Sequence, residues 1–305
     1  MLNLNEAVKI NAVAYGGNAG AKYGVKLNGG IWMIKYPKTT RDMANPQISY
    51  TTSPLSEYLG SKIYETFKIP VHETKLGIRN GKVVVACKDF TRTDSIIPIG
   101  ILILFHELKN SFMAGDLDSY SGTGSETLLG EVLDTIKGLP ELTEIGGVIN
   151  RFWDMFVIDA FIGNNDRNNG NWGILAEPGG VLSLAPVFDN GNAFFNKKSS
   201  ANMEKRMKDE TAIREDALEG TCIYKYTGTD TEGKKIKPFE FIKKGDNPDC
   251  NAAVSRFLQS VDMNSIKEVI NSVPETFNEF LIMPQVQKNY YLKLLHLRLK
   301  FLQER

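Results

Sequence analysis

The stretch from Asn164 to Asn171 (NNDRNNGN) holds eight consecutive polar or glycine residues between an apolar helical segment and an apolar strand. Such a run is predicted to be a loop outside the core. Within it, Asp166 and Asn171 are five residues apart. Phosphoryl transfer uses this spacing, because the aspartate accepts the proton of an acceptor hydroxyl and the asparagine turns back to bind magnesium. Taken alone the pattern is weak, since Asp and Asn are common in loops as Asx turns.

Asp189 adds a second carboxylate to this pattern. The residues from 172 to 184 predict a hairpin that returns the chain, so that Asp189 and Asn171 would face one ion. Magnesium binds proteins through one or two carboxylates together with phosphate oxygens. Gly191, two residues later, supplies a backbone hinge. The ordered set of Asp166, Asn171 and Asp189 favours a phosphotransferase that uses Mg²⁺ and ATP.

Lys35 ends an otherwise apolar strand, IWMIK. An unpaired ammonium group is costly to bury, so this side chain should reach a carboxylate or a ligand phosphate. Glu57 is its natural partner, because it lies near the start of a helix predicted from Ser53 to about Lys68. The alternative for Glu57 is a simple charge contact with the N-terminus of that helix.

Four glycines between the first strands could let backbone N–H groups approach phosphates closely: Gly16, Gly17, Gly20 and Gly24. Their spacing does not match G-x-G-x-x-G, and an ordinary hairpin tip is an equal alternative. Beyond the second hairpin, Lys88 and Phe90 lie where a connector between two lobes would run. From that position their backbone groups could bind an adenine edge.

The elements that must position these residues divide into two parts. Residues 1–92 predict a small sheet of two glycine-turn hairpins with one helix, and residues 93–305 are mainly helical. The run from Ile96 to Phe105 is apolar but shorter than the roughly 20 residues of a membrane span, so we expect it to be core. Residues 196–238 are polar and weakly periodic, which predicts an exposed insertion. A long closing helix is predicted from about Gln285 to Arg305.

The charge balance gives no bulk reason for binding nucleic acid or an anionic membrane surface, because Lys plus Arg and Asp plus Glu each total 36. Membrane insertion is not expected either, because the longest apolar run is too short to span a bilayer. The three cysteines are widely spaced and the N-terminus lacks a signal-peptide pattern, so we expect synthesis in the cytoplasm with reduced thiols. Secretion would need a route without a signal peptide. The three scattered histidines, His72, His106 and His296, predict structural roles and no metal site.

These motifs resemble the HipA-like family of bacterial Ser/Thr kinases over most of the chain. In that family a glycine-containing loop precedes a strand that ends in lysine before a proline step, here the segment 33–37 (MIKYP). The family loop Asp-x-His-x-Lys-Asn corresponds to residues 166–171, and its metal-binding Tyr/Phe-Asp step corresponds to Phe188-Asp189. The resemblance implies an α+β, two-lobed protein-kinase-like fold with ATP and Mg²⁺ as cofactors and a protein Ser/Thr hydroxyl as acceptor.

The sequence departs from the family at two loop positions. Asn168 replaces the family histidine and Gly170 replaces the family lysine. Positive charge for the transferring phosphoryl group must then come from elsewhere, and Arg167 and Lys35 are the candidates. Two alternatives stay open. A small-molecule or lipid kinase is one, because the sequence does not reveal the acceptor pocket, and a catalytically idle ATP-binding pseudokinase is the other, because the loop lacks the family histidine and lysine. Autophosphorylation is also expected, with residues 199 and 200 (both Ser) as candidate sites; the alternative for these two residues is an ordinary solvated loop.

Overall fold

A computed structural model describes residues 1–11, 13, 15, 22–93, 95–116, 122–228 and 231–305. Its N-terminal part is a six-stranded sheet with the strand order β1-β5-β6-β4-β3-β2, crossed by one helix. The elements are β1 (Leu2–Asn3), β2 (Val8–Ile10), β3 (Lys22–Leu27), β4 (Gly30–Lys35), α1 (Ser53–Thr66), β5 (Thr74–Arg79) and β6 (Lys82–Lys88).

The two predicted hairpins are present in this sheet. Strands β3 and β4 are joined at Asn28 and Gly29, and β5 and β6 are joined at Asn80 and Gly81. All four turn residues have positive φ, as a type I′ turn requires, and Asn-Gly is the pair that adopts this turn most readily. The turn therefore sets the register that places Lys35 at the end of β4.

Helix α1 packs on one face of the sheet and links it to the helical part of the chain. It begins with Pro54 in its first turn and buries Leu59 and Ile63 in the main core. Its inner face also carries Glu57, whose exposed fraction is 1%. A helix with a charged residue at the core-facing side must provide that charge with a partner.

The helical part surrounds helix α5, whose aromatic residues lie in the core as predicted. Phe152, Trp153 and Phe161 are each buried on this helix. The remaining elements are β7 (Ile101–Leu104), α2 (Phe105–Asp116), α3 (Leu129–Gly138), α4 (Pro140–Ile145), α5 (Val148–Ile162), β8 (Gly173–Ala176), β9 (Leu182–Leu184), α6 (Ser200–Met207), α7 (Glu210–Leu218), α8 (Pro238–Lys244), α9 (Pro248–Ser260), α10 (Met263–Ser272), β10 (Thr276–Phe277), β11 (Phe280–Leu281) and α11 (Gln285–Glu304). The predicted hairpin after the polar loop is β8–β9, and the long closing helix is α11.

The apolar run from Ile96 to Phe105 is largely exposed, so the prediction that it is core was wrong. Ile97 and Ile101 are 74% and 68% exposed. Residues 101–104 form strand β7, which pairs with β8 at the edge of a three-stranded sheet. The run is apolar because part of it lines a cleft. The predicted domain boundary between residues 92 and 93 falls in the connection between β6 and β7 and stays a prediction.

Residues 196–238 are not an exposed insertion, which corrects a second prediction. Helices α6 and α7 lie in this segment and pack against α11. Six of the segment's apolar side chains are buried in the main core, namely Met203, Ile213, Ala217, Leu218, Tyr224 and Ile236. Helix α6 buries only Met203, and two of the four apolar residues that α7 buries are alanines, so the hydrophobic period of both short helices is weak in the sequence.

Within the described residues, every helix is too short or too polar to cross a lipid bilayer.

Candidate active site

A cleft of about 590 Å³ lies between the N-terminal sheet and the helical part, and we call it the interlobe cleft. Its polar end is lined by Lys22, Lys35, Gly170, Asn171 and Asp189. Its apolar wall includes Met33, Phe90, Ile101, Leu102, Leu104 and Phe188. An apolar cavity that ends in a few convergent polar groups is the usual form of a small-molecule site.

A smaller cavity of about 130 Å³ adjoins the polar end of the interlobe cleft. Lys35 and Asp189 line both cavities, and Asp166 and Asn192 line only the smaller one of the two. A ligand in the cleft and a second reactant beside Asp166 would therefore meet at Lys35 and Asp189.

Lys35 connects the sheet, helix α1 and the aspartate segment. Its Nζ donates hydrogen bonds to Glu57 Oε2 at 2.9 Å and to Asp189 Oδ1 at 3.0 Å. The backbone N–H of Asn190 donates to Glu57 Oε1 at 3.1 Å. The predicted pairing of Lys35 with Glu57 is therefore present in the structure, and Asp189 is a second partner of Lys35.

The charges of this network hold one another ionised. Burial alone would lower the pKa of Lys35, but the carboxylates of Asp189 and Glu57 outweigh burial and raise it. Burial would likewise raise the pKa of Glu57, but the ammonium of Lys35 and the contact with His72 lower it. The pair is therefore an ion pair over the whole range around neutral pH.

Asp166 and Asn171 are tied together by the loop that carries them. Asn171 Nδ2 donates to the main-chain oxygen of Asp166 at 2.6 Å, which leaves Asn171 Oδ1 as the free oxygen of that side chain. Asn192 Nδ2 donates to Asp166 Oδ2 at 2.8 Å and orients the carboxylate. Asp166 is only half-buried, so an acceptor group can reach it.

The loop from 164 to 171 was predicted to lie outside the core, and in part this is wrong. Asn164, Arg167 and Asn169 are buried and anchor the loop, whereas Asp166 and Asn171 remain half-buried. Asn169 Nδ2 donates to the carbonyl oxygens of Gly124 and Glu126 at 2.9 and 2.8 Å. Because buried polar side chains with partners are rigid, they fix the two residues that face the cavities.

Arg167 does not supply charge to the cleft. Of the two residues expected to provide positive charge for the phosphoryl group, only Lys35 lies there. The Arg167 guanidinium forms a buried ion pair with Asp159, with Nε to Oδ2 at 2.8 Å. It also donates to the main-chain oxygens of Asn171 and Phe188 and to Asn190 Oδ1. The planar fork of Arg167 therefore holds the loop to helix α5 through Asp159 and to the residues on either side of Asp189 through Phe188 and Asn190.

Asp189 has a φ of +62°, in the left-handed region that few residues other than glycine adopt. Asp and Asn tolerate this region better than most residues. The preceding Phe188 lies against Phe90 of the connector, with ring centroids 5.8 Å apart. Gly191 lies so close to Glu57 that a Cβ would be 3.3 Å from Oε2. This backbone conformation places the Asp189 carboxylate within hydrogen-bonding distance of Lys35.

Asn171 and Asp189 fit a magnesium ion. Both line the polar end of the interlobe cleft, and each offers an oxygen ligand of the hard type that magnesium prefers. A different group of possible ligand atoms comes from Glu57, His72 and Cys87, which lie within 4.8 Å of one another and are all buried. There the Glu57 carboxylate is already held by Lys35, so we attribute that cluster to the ion-pair network.

The glycines divide between described and undescribed residues. Gly16, Gly17 and Gly20 lie outside the described residues. Gly24 was predicted to belong to the glycine loop, but it lies inside strand β3, which begins at Lys22. A Cβ on Gly24 would lie 3.1 Å from Val13. Close packing against Val13 explains the glycine. Lys88 and Phe90, predicted as connector residues, both line the interlobe cleft.

Sequence reasoning missed several residues at this site. His72 was predicted to have a structural role only, and its contact with the site was not foreseen: its Nε2 lies 2.9 Å from Glu57 Oε1. His106 is also close to the loop, since its backbone N–H donates to the oxygen of Asn169 at 2.9 Å. Asn190 and Asn192 follow Asp189 directly, so the sequence NGN after that residue was the one available signal.

Comparison with known proteins shows a similarity to CtkA in both sequence and structure. The serine/threonine-protein kinase CtkA of Helicobacter pylori strain J99 is 33% identical over 276 residues, which cover 88% of this chain and 78% of that protein. The crystal structure of the Helicobacter pylori proinflammatory kinase CtkA matches 99% of this chain and 97% of its own, with a TM-score of 0.84 and 27% identity.

A more distant match concerns the fold alone. A chain from the complex of HipA, HipB and operator DNA of the Shewanella oneidensis MR-1 toxin–antitoxin system matches 90% of this chain. The match covers 59% of that chain, with a TM-score of 0.52 and 13% identity. A search with models of protein families found no match.

The similarity to CtkA extends through both the sheet and the helical part, and the HipA match confirms the expected two-lobed α+β fold. The chain therefore belongs to the family of the serine/threonine-protein kinase CtkA, within the HipA-like kinase fold, and is a phosphotransferase.

Proposed function

We propose that this protein transfers the γ-phosphoryl group of ATP, with magnesium, to a Ser or Thr hydroxyl of a protein. The observation that carries the proposal is the position of Lys35, whose ammonium joins Glu57 and Asp189 at the point where the two cavities meet. A kinase needs a lysine fixed by a glutamate next to the metal-binding aspartate. The relative CtkA is a serine/threonine-protein kinase, which supports a protein acceptor.

Each residue has a defined part in this proposal. The nucleotide base lies along the apolar wall near Lys88 and Phe90, and the phosphates reach Lys35. Asn171 Oδ1 and the Asp189 carboxylate would hold magnesium, which neutralises phosphate charge and aligns the γ-phosphoryl group. Asp166, oriented by Asn192, receives the acceptor hydroxyl and takes its proton. The chemistry is mainly positioning and charge neutralisation.

Autophosphorylation is part of the proposal. Ser199 caps helix α6, and its Oγ accepts a hydrogen bond from the backbone N–H of Asn202 at 3.2 Å. Its own backbone N–H donates to Gln47 Oε1 at 3.0 Å. A phosphate on Ser199 or Ser200 would lie at a helix N-terminus, where negative charge is stabilised.

The test is transfer of labelled γ-phosphate from ATP and magnesium to the protein itself and to a generic basic protein. Label recovered on phosphoserine or phosphothreonine supports the proposal. Label found only on members of a panel of lipids and small hydroxyl compounds would replace it with the small-molecule kinase alternative. Binding of ATP without label on any acceptor would replace it with the pseudokinase alternative.

A further inference from the structure

Lys22, the first residue of strand β3, lies directly opposite Lys35 in the sheet. The antiparallel register of β3 and β4 pairs Lys22 with Lys35, and both side chains line the polar end of the interlobe cleft. Directly opposed residues on a sheet face have Cβ atoms about 4.5–5.5 Å apart, and like charges in this position destabilise the sheet. The arrangement therefore needs negative charge nearby.

The two carboxylates that act on Lys22, those of Glu57 and Asp189, are already bound by the Lys35 ammonium. Glu57 Oε2 and Asp189 Oδ1 both accept hydrogen bonds from the Lys35 ammonium. Across the described ranges, the Lys22 ammonium has no ion pair and no hydrogen bond. The residues from 16 to 21 that precede it have the sequence GGNAGA and contain no carboxylate.

The electrostatic setting of Lys22 agrees with this geometry. The side chain is half-buried. Its pKa is lowered by burial and then by the neighbouring ammonium of Lys35, while Asp189 and Glu57 compensate only in part. An ammonium that is partly desolvated and lacks a partner gains most when an anion enters the cleft.

The loop of residues 164–171, which we call the catalytic loop, supplies no cation of its own to the cleft. Gly170 lines the polar end of the same cleft as Lys22, at the position where the resembling family carries lysine. Asn168 is neutral, and Arg167 is held by Asp159 away from the cleft. The triphosphate of ATP carries more negative charge than one magnesium ion neutralises, so a further cation in the cleft beside Lys35 would stabilise it.

We propose that Lys22 contacts the phosphate groups of the bound nucleotide and supplies the positive charge that the catalytic loop lacks at Gly170. This inference rests on the proposed ATP-dependent function. In this proposal the sheet contributes the phosphate-binding lysine, whereas HipA-like kinases carry a lysine on the loop that corresponds to residues 166–171.

The experiment compares ATP and adenosine binding by calorimetry, with magnesium, for the full chain and its variants. Charge-assisted contacts contribute about 1.5–3 kcal/mol, so Lys22→Met should weaken ATP binding by about tenfold or more. Adenosine has no phosphate, so its affinity should stay unchanged in the same variant. Lys22→Arg should retain ATP affinity, and Lys26→Met is the matched control because Lys26 is exposed on the same strand.

A second variant tests whether position 170 and Lys22 are interchangeable. A Cβ on Gly170 would meet Asn168 Oδ1 at 3.1 Å and His106 Nδ1 at 3.7 Å, so a lysine fits after a small movement of Asn168. The double variant Lys22→Met/Gly170→Lys should recover most of the ATP affinity lost in Lys22→Met. If Lys22→Met is poorly folded by circular dichroism, Lys22→Gln takes its place.

Equal effects of Lys22→Met on ATP and adenosine, or no effect on either, would overturn the inference. A wild-type chain that binds ATP but transfers no phosphate would refute the proposed function only, because the binding comparison still decides the role of Lys22. A wild-type chain that does not bind ATP would overturn both.

Discussion

Asn171 Nδ2 donates a 2.6 Å hydrogen bond to the main-chain oxygen of Asp166, and this bond closes the catalytic loop on itself. The five-residue spacing of the two side chains is what allows the bond. It directs the amide nitrogen of Asn171 inward and leaves Oδ1 for a metal ion, while the Asp166 carboxylate remains half-buried beside the smaller cavity. One backbone contact thus separates the two roles that we propose, metal ligand for Asn171 and proton acceptor for Asp166.

Replacing the proposed general base should reduce phosphotransfer without removing nucleotide binding. Asp166→Asn keeps the shape of the side chain but cannot accept the acceptor proton, so we expect the rate to fall by about 10² to 10⁴. ATP affinity should change little, because Asp166 does not line the interlobe cleft. Initial rates of label transfer and ATP calorimetry measure the two effects.

The control for this change is Asp134→Asn, an exposed aspartate on helix α3, which should keep the wild-type rate. Full activity of Asp166→Asn would show that another group accepts the proton.

Breaking the Lys35–Glu57 ion pair should destabilise the fold. Both side chains are buried, so Lys35→Met leaves uncompensated carboxylates and should lower the free energy of unfolding by about 3 to 5 kcal/mol. The double variant Lys35→Met/Glu57→Gln should lose less than the sum of the two single changes, because the groups interact directly. Urea denaturation measures all three. Strict additivity would mean that the pair does not interact in solution.

The same pair predicts how stability depends on pH. The folded protein holds the pKa of Glu57 below its ordinary value of 4.5, so this contribution is present above pH 4.5 and is lost as the pH falls through the folded pKa. The pKa of Lys35 is raised above 10.5, so its contribution is present below pH 10.5 and is lost as the pH rises towards the folded pKa.

The difference in unfolding free energy between wild type and the Lys35/Glu57 double variant reports on these two groups together with their neighbours His72 and Asp189. It should be flat between about pH 5 and 10 and decrease at both ends. A difference that changes steadily across the neutral range would contradict the directions of both pKa shifts.

Arg167 should matter for stability although it follows the proposed base directly in sequence. Arg167→Met leaves the Asp159 carboxylate buried without its partner, so we expect a loss of about 3 to 5 kcal/mol. Arg167→Lys should also be destabilised, because lysine cannot reproduce the planar fork. Arg214→Met, an exposed arginine on α7, is the control for denaturant unfolding. Wild-type stability of Arg167→Met would place the guanidinium in the solvent instead.

The sequence was informative where local chemistry decides the structure. The Asn28-Gly29 and Asn80-Gly81 turns specify φ angles directly, and the positions of Lys35, Asp166 and Asp189 follow from the strands and loop next to them. Each of these features depends on residues close in the chain. That is why pattern and spacing were sufficient to find them.

Features that depend on distant partners could not be predicted in this way. Arg167 was a candidate phosphate contact, but its guanidinium is taken up by Asp159, Asn190 and the carbonyl group of Phe188, which lie outside its own loop. His72 reaches Glu57 only because β5 packs beside α1. Ile101 belongs to an apolar cleft wall at a sheet edge, and hydropathy alone cannot distinguish such a wall from a core.

The central claim is tested most directly by Asp189→Asn in the magnesium-dependent transfer of γ-phosphate from ATP. Asn tolerates the positive φ at this position, so the change removes a charged metal ligand with little backbone strain. Asp246→Asn, an exposed aspartate between α8 and α9, is the matched control. We expect wild type and Asp246→Asn to label Ser or Thr residues and Asp189→Asn to give no label at any magnesium concentration. Wild-type transfer by Asp189→Asn would contradict the assignment of this cleft as the phosphotransfer site.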